Sequence, residues 1–301
     1  MGWWIMPLTG NPIYATVDPT PTFGSRPTTA FQEYHNLSNL VISNQTFNQF
    51  SAGADLLGFY GCSNITVQDC DFGPMPADNS ASGRKAIYFQ GCAGTLTIIR
   101  CRFLNPAHDA IQLNTSHMVG QITDCRIRGT TANSEDLISL FQSGGVDATH
   151  RLKIWNVRID GNDIVTGLPG YTSSSGTGIN IGDDALLTST GFVDIYDCTI
   201  YNAGQAGIAV AGGNDQTIDG NIMYSIQTAL SNVGMSIWMN GGSTVCQAIE
   251  ARQNRVHWIN SGSGLNNGLF QNGNCGTIAN LSDNNFNDTT INPANLVVNL
   301  G

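Results

Sequence analysis

The six residues 67–72 read VQDCDF, and the same pattern returns as IIRCRF at 98–103 and as ITDCRI at 122–127. Each copy has apolar residues at its first and last positions and a cysteine at its fourth. Similar copies, several with Asn at the fourth position, are ISNQTF (42–47), IWNVRI (154–159), IYDCTI (195–200), IDGNIM (218–223), ARQNRV (251–256) and LSDNNF (281–286). Their fourth residues lie 23 to 41 positions apart. Repetition at such a period is typical of a solenoid.

A second short apolar segment recurs between these copies. It reads AIYF (86–89), AIQL (110–113), LISL (137–140), GINI (178–181), GIAV (207–210) and SIWM (236–239). A unit of two or more short strands cannot bury its apolar face alone, so each coil must stack on its neighbours about 4.8 Å away. The fourth residues would then point inward and form a ladder along the axis.

The repeat resembles the right-handed parallel β-helix of the pectin-lyase-like superfamily. We therefore predict an all-β solenoid of about nine to ten coils over residues 36–290. Residues 1–35 are expected to form an N-terminal arm or cap, and residues 291–301 a C-terminal strand or cap that includes the apolar run 296–300. A β-propeller or sandwich is the rival fold, but it requires hairpin turn signals every 8 to 12 residues.

Composition narrows the classes of partner. The chain of 301 residues has 12 Lys and Arg against 22 Asp and Glu, a net charge of −10, and 35 glycines that suit tight turns. This charge argues against binding to nucleic acid or to an anionic membrane. The apolar start, MGWWIMPL, lacks the basic segment of a signal peptide. Either the signal for export was removed from this sequence or the protein leaves its cell by another route. We therefore expect an extracellular or virion-surface location.

The eight cysteines fall into two groups. Four of them, Cys70, Cys101, Cys125 and Cys198, occupy the inward ladder, where they are interpreted as buried filler. The other four form two candidate pairs one coil apart, Cys62–Cys92 and Cys246–Cys275. The sequence leaves two alternatives for each pair, a disulfide or two stacked free thiols. A zinc site is not expected, because no Cys-x-x-Cys motif occurs.

Acidic residues precede the second strand in two successive coils. Aligning the apolar positions places Asp109 and Asp136 next to each other along the axis, with Glu135 beside them, Lys85 one coil below and Thr177 above. Two carboxylates about 5 Å apart repel each other, so one of them should keep a proton at neutral pH. A protonated and an ionised carboxyl side by side are the groups that glycoside hydrolysis requires.

The same three coils are similar to polygalacturonase-type glycoside hydrolases. By this resemblance Asp109 matches the family's first Asp, Glu135 and Asp136 its acidic pair, and Thr177 its His. The resemblance implies that Asp136 or Glu135 is the general acid and that Asp109 with the remaining carboxylate activates water. Two departures stand against galacturonan as substrate: Thr cannot handle a proton as His does, and the family's Arg-Ile-Lys has no counterpart. A structural or calcium-binding turn, or coincidental register, is the alternative.

The outward residues of the second strand form a column with aromatic ends and a polar middle. Its predicted members are Tyr88, Gln112, Ser139, Asn180, Ala209, Trp238 and Phe270. Such a column suits an extended glycan, but it is equally consistent with stacks that stabilise the sheet. Two long loops, residues 73–84 and 161–176, lead into these strands, and the second contains Tyr171. Thr177 and Tyr171 are therefore added to the candidate substrate-binding residues.

Three functions remain open at this point. The first is hydrolysis of a polysaccharide or cell-surface glycan without a cofactor. A polysaccharide lyase would instead use Lys85, Arg84 or His108 as its base beside Ca²⁺, and Asp183 with Asp184 is a weak candidate for a cation site. The third is a non-catalytic structural or receptor-binding β-helix of a phage virion, such as a tail or head fibre or a tailspike-like homotrimer.

Overall fold

The computed structural model describes residues 22–49, 54–75, 84–129, 136–161, 176–186, 190–228 and 230–300. The chain runs repeatedly through three parallel sheets in the same order. Sheet A contains β1 (Thr28–Ala30), β4 (Thr46–Gln49), β7 (Asp71–Phe72), β10 (Arg102–Leu104), β13 (Arg126–Arg128), β16 (Arg158–Asp160), β19 (Thr199–Tyr201), β22 (Ile222–Ser225) and β25 (Arg255–Trp258).

The other two sheets complete each coil. Sheet B contains β2 (Gln32–His35), β5 (Leu57–Tyr60), β8 (Ile87–Gln90), β11 (Ile111–Asn114), β14 (Asp136–Phe141), β17 (Thr177–Asp183), β20 (Ala206–Val210), β23 (Val233–Ile237) and β26 (Leu269–Gln271). Sheet C contains β3 (Ser38–Ser43), β6 (Ser63–Gln68), β9 (Ala93–Ile99), β12 (His117–Thr123), β15 (Leu152–Trp155), β18 (Gly191–Tyr196), β21 (Gly213–Asp219) and β24 (Cys246–Arg252). This arrangement confirms the prediction of an all-β parallel solenoid.

The turn between sheets C and A explains the repeated six-residue pattern. Its third residue adopts a left-handed backbone conformation, with φ of 53° at Asp69 and 54° at Asp124. The fourth residue then points into the core, and Cys70, Cys101 and Cys125 are all fully buried. Short polar residues at the third position tolerate this backbone conformation better than branched ones do. The pattern therefore encodes a turn and a core contact together.

The inward ladder continues with asparagines in the last coils. The Oδ1 atom of Asn254 accepts hydrogen bonds from the backbone and side-chain nitrogens of Asn221, at 3.0 and 2.9 Å. The Oδ1 atom of Asn284 accepts the same two bonds from Asn254, at 3.0 and 2.7 Å. Each amide thus satisfies buried backbone groups of the coil below it, which apolar side chains could not do.

The strand register follows the sequence alignment except in one coil. Ile111 pairs with Ile87 on one side and with Ile138 on the other, as aligned. However, Ile208 pairs with Met235, so the segment 234–237 takes the place that was assigned to SIWM at 236–239. The aligned register differs from the observed register by two residues. A shift of two keeps the alternation of inward and outward side chains, so the pattern could not detect it.

Both ends of the solenoid differ from the expectation. Strands β1 and β2 lie within residues 1–35, which were assigned to an arm or cap. A short 3-10 helix, Leu281–Asp283, precedes the C-terminal tail (residues 291–300), which contains a second one, Pro293–Asn295, and lies against sheet A. Residues 296–300 form no strand in the structure, and arginine side chains donate to the carbonyls of Asn299 and Leu300.

The tail crosses successive coils of sheet A. The Arg158 guanidinium donates to the Asn295 carbonyl, at 3.3 Å. One coil lower, Arg126 donates to the carbonyl of Asn299, at 3.0 Å. Below that, Arg102 donates to the carbonyl of Leu300, at 2.7 Å.

Only one of the two candidate cysteine pairs is a disulfide. Cys246 and Cys275 are bonded, with their Cα atoms 4.5 Å apart. Cys62 and Cys92 are free and buried, so the disulfide alternative for this pair is wrong. Each of these thiols points to a backbone carbonyl of the preceding coil, Cys62 to Tyr34 at 3.3 Å and Cys92 to Phe59 at 3.4 Å. They act as polar turn residues. Within the part of the chain that the structure describes, no helix is long and apolar enough to cross a membrane.

Candidate functional site

The predicted acidic column exists on the outer edge of sheet B. Asp136 is the direct strand partner of Thr177, and both lie two residues before paired core isoleucines. By the same register Lys85 and Asp109 lie two residues before Ile87 and Ile111. The structure therefore brings these four residues into one column. Glu135 and Tyr171 lie outside the described residues.

Asp109 is buried, with 1% of its surface exposed. Its Oδ1 atom accepts a hydrogen bond from the backbone nitrogen of Asp136 at 3.0 Å and lies 3.1 Å from Nδ1 of His108. Its Oδ2 atom is buried without a hydrogen-bond partner. His108 is itself only 4% exposed. Asp109 is thus placed to act on Asp136 rather than on a molecule in solution, and His108 lies against Asp109.

Asp136 is the partly exposed member of the carboxylate pair. Burial raises the pKa of Asp136 to about 7, and repulsion by Asp109 adds to this, while hydrogen bonds from Asn180 and Thr177 oppose it. The Asn180 side-chain amide donates to Oδ2 of Asp136 at 2.9 Å. Among the described residues, no Lys or Arg forms an ion pair with either carboxylate. Near neutral pH, Asp136 can therefore both give up and take up a proton.

One coil below Lys85, Asp55 extends the column in a way that the sequence analysis missed. Its Oδ1 atom accepts a hydrogen bond from the Lys85 backbone nitrogen at 2.8 Å, and burial raises its pKa. The sequence does contain the pattern that identifies Asp55, because Asp55 precedes Leu57 by two residues just as Asp109 precedes Ile111. Tyr60 lies next to it, and burial, with a contribution from Asp55, raises the pKa of the Tyr60 phenol to about 12.

Tyr88 lies at the lower end of the outward column, where it pairs with Gly58 of the coil below, and the Tyr60 ring packs against it. Tyr88 and Tyr60 meet edge to face, with ring centroids 5.8 Å apart. The Lys85 ammonium lies 5.4 Å from the centroid of the Tyr88 ring, and the Asn114 side-chain amide donates to the Tyr88 hydroxyl at 3.0 Å. Lys85 is thus held against an aromatic face.

The upper part of the column departs from the prediction. Gln112 pairs with Ser139, Ser139 with Asn180, and Asn180 with Ala209, as expected. The next members are Ser236 and Phe270, and Trp238 lies beyond the end of β23, outside the column. The middle of the column is nearly closed to solvent, since Ser139 is 4% and Asn180 9% exposed. An open groove along the whole column is therefore not observed.

The pair Asp183–Asp184 lies at the end of β17. The Asp183 side chain accepts a hydrogen bond from the Asn240 amide, and the Asp184 carboxylate packs against Gly242, where a Cβ atom would collide with it. Within the described ranges, no group of three or more His, Cys, Asp or Glu residues is arranged to hold a metal ion.

Comparisons with family models, with curated proteins and with solved structures found no match for this chain. The fold and the column therefore define its class: a parallel β-helix of three sheets with a carboxylate pair at the edge of sheet B.

Proposed function

We propose that this protein is a carbohydrate-active β-helix of the pectin-lyase-like type that hydrolyses a glycosidic bond, with Asp136 as the proton donor. The observation that carries the proposal is the pairing of Asp136 with the buried Asp109, whose Oδ1 atom accepts a hydrogen bond from the Asp136 backbone nitrogen at 3.0 Å. Burial, with repulsion by Asp109, raises the pKa of Asp136 to about 7. A general acid is most effective when its pKa lies near the working pH.

The buried position of Asp109 changes the role that the sequence assigned to it. With 1% exposure it does not reach a substrate, so it acts as a positioning residue. Burial, together with repulsion by Asp109, keeps Asp136 protonated, and the Asp109 Oδ1 atom accepts a hydrogen bond from the Asp136 backbone nitrogen. Activation of water falls to Glu135, the other carboxylate of the acidic pair in the sequence.

The expected substrate is a neutral glycan. The sequence has no counterpart of the Arg-Ile-Lys that binds a uronate carboxylate in polygalacturonases. A lyase using His108 as its base has less support, because His108 is buried against Asp109.

The substitution Asp136→Asn tests the assignment. We expect release of reducing ends from a panel of neutral polysaccharides to fall by about 10²-fold or more, as loss of a general acid usually causes. Wild-type activity should decline above about pH 7, because Asp136 then loses its proton. Asp69→Asn is the matched control, since Asp69 forms an exposed ion pair with Arg100. An active Asp136→Asn protein, or a wild type that cleaves no glycan, would refute the proposal.

A second function is favoured by the burial of the column. Outward residues that are 4 to 9% exposed, such as Ser139 and Asn180, are also what a non-catalytic structural or receptor-binding β-helix of a virion would have. Such a subunit would be expected to assemble as a homotrimer at a virion surface. Light scattering separates the two candidates, because a monomer in solution contradicts the fibre subunit. A trimer that binds a glycan without cleaving it would favour the fibre subunit.

A further inference from the structure

A second concave surface lies on sheet C, on the outward side of strands β15, β18, β21 and β24. It encloses about 280 Å³. It is lined by Lys153, Asp194, Tyr196, Thr217, Asp219, Glu250 and Arg252. We call this surface the sheet C notch. None of these residues belongs to the carboxylate column on sheet B.

The register of sheet C explains its shape. Tyr196 pairs with Trp155 in the coil below, and the two rings stack with centroids 5.8 Å apart and planes 6° apart. One face of Tyr196 is therefore covered, and the other faces the next coil, where its partner is Asp219. Asp219 and Thr217 have short side chains and form the floor. In the coil beyond, Arg252 pairs with Asp219 and forms the opposite wall.

The width of the notch suits one sugar ring. Tyr196 and Arg252 are separated by two coil steps, which is about 10 Å at the usual strand spacing. A pyranose ring stacked on Tyr196 at a contact distance of about 4 Å would leave room for its hydroxyls to reach the far wall. The Trp155 indole nitrogen donates to the Gln121 side chain at 3.1 Å, which fixes the aromatic stack before any ligand arrives.

The polar groups of the notch suit a neutral polyol. Each of its three carboxylates lies within ion-pair distance of a guanidinium: Asp219 and Glu250 with Arg252, at 2.9 and 3.0 Å, and Asp194 with Arg151, at 2.8 Å. These pairs fix the carboxylates in place and offset their charge. Three carboxylates disfavour a sulfate or phosphate, even though Lys153 and Arg252 also line the notch. Sugar hydroxyls can donate to the carboxylates and accept from Arg252.

We propose that the sheet C notch binds one neutral sugar unit of a glycan, with the free face of Tyr196 as its apolar contact. This inference goes beyond the proposed hydrolysis and does not depend on it. A protein without any hydrolytic activity could use the notch to hold a glycan.

The indole of Trp155 offers a local readout, because the chain has five tryptophans and their indole resonances are few. Neutral oligosaccharides of gluco, manno and galacto configuration would be titrated into protein labelled with ¹⁵N-tryptophan. The Asp136→Asn background prevents any cleavage during the measurement. We expect a saturable shift of the Trp155 signal and none at Trp258, which is fully buried in the core.

Two variants change the notch in different ways. Thr217→Phe fills the floor, and Glu250→Gln removes a charged acceptor with little change of shape; each should weaken binding about tenfold or more. Thr97→Phe is the matched control, because Thr97 lies in the same outward row of sheet C, in an earlier coil. Unfolding midpoints verify that each variant folds.

Three results would overturn the inference: no saturable Trp155 shift with any neutral sugar up to about 10 mM, a shift that Thr217→Phe and Glu250→Gln leave unchanged, or binding of acidic saccharides only. Loss of reducing-end release is measured separately, so failure of the hydrolase proposal cannot be mistaken for failure of this one.

Discussion

Sheets A and B each carry a buried carboxylate, but the two carboxylates have opposite surroundings. On sheet A, Asp71 is fully buried and accepts bonds from Arg102 at 2.7 and 2.8 Å, from Arg26, and from the backbone nitrogen of Gly24 at 2.9 Å. On sheet B, Asp109 is almost as buried, yet its nearest acidic neighbour is Asp136 and its Oδ2 atom has no partner. Asp71 thus lies in an ion network, whereas Asp109 lies against Asp136, whose pKa is raised to about 7 by burial and by repulsion from Asp109.

The C-terminal tail (residues 291–300) adds to this difference between sheets A and B. It brings the buried side chains Leu296, Val298 and Leu300 onto sheet A, and the Val298 nitrogen donates to Asp160 at 3.2 Å. Sheet A therefore has its charges compensated and its surface covered, which is a stabilising arrangement. On sheet B, no Lys or Arg among the described residues forms an ion pair with Asp109 or Asp136, and placing the two carboxyls together costs stability and gives chemical reactivity.

Removal of the tail should have the largest effect. A chain that ends at Thr290 loses four buried aliphatic side chains, Ile291, Leu296, Val298 and Leu300, each worth about 1.5–3 kcal/mol. We expect the free energy of unfolding to fall by about 5 kcal/mol or more, measured by urea denaturation. The control is Val297→Ala, because Val297 is 49% exposed and its loss should cost little. An unchanged midpoint for the truncated chain would show that the tail does not stabilise sheet A.

Asp71→Asn should come next. The substitution leaves Arg26 and Arg102 buried without their carboxylate, and loss of one partner of a buried ion pair typically costs about 3–5 kcal/mol. Asp69→Asn changes the same residue type in an exposed pair with Arg100 and should cost about 1 kcal/mol or less. Equal effects of the two substitutions would remove the distinction between a buried network and a surface pair.

Asp136→Asn should act in the opposite direction and stabilise the protein at high pH. Because the pKa of Asp136 is about 7 instead of its ordinary 3.8, the folded state holds a proton between about pH 4 and 7 that the unfolded chain releases. Stability should therefore fall as pH rises through this window and stay level above it. At pH 8 we expect Asp136→Asn to gain about 2 kcal/mol, a value discounted from the full shift because the side chain is partly exposed.

The control for this prediction is the same comparison of wild type with Asp136→Asn at low pH. At pH 4 wild type and Asp136→Asn should be nearly equally stable, since the carboxyl is then protonated in the folded state. Urea midpoints measured from pH 4 to 8 give both values. A wild type whose midpoint does not depend on pH in this range would contradict the raised pKa.

Asn180→Ala should give the smallest change. The Asn180 amide donates to the ionised form of Asp136, which opposes the rise of its pKa. Its loss should raise the Asp136 pKa further, by about one unit, the value of a hydrogen bond to a charged group. NMR titration of the Asp136 carboxyl carbon measures it, and Asn114→Ala, which removes a bond to Tyr88 instead, is the control. A lowered pKa would show that Asn180 does not favour the ionised carboxyl.

The alignment of repeats found part of the candidate site for a simple reason. In a parallel solenoid, residues at equivalent positions of successive coils are stacked, so Asp109 and Asp136 could be placed together from their spacing alone. Asp55 obeys the same rule and could have been found by extending the alignment one coil further. Trp238 was misplaced because a shift of two residues leaves the alternation intact.

The burial of Asp109 could not be read from spacing. Spacing places a residue in a coil but does not say whether its oxygens meet a backbone amide, as Asp109 Oδ1 does, or water. For the same reason the choice between a thiol and a disulfide at Cys62 and Cys92 depended on where the side chains point.

The six-residue repeat was sufficient to predict a parallel β-helix, because its period sets both the turn and the inward contact in every coil. The path of the C-terminal tail was decided only in three dimensions. Its contacts join residues that are far apart and have no periodic relation, such as Arg102 with Leu300 and Asp160 with Val298. No local pattern encodes such pairs, since they form only after the coils have stacked and placed the arginines of sheet A in one row.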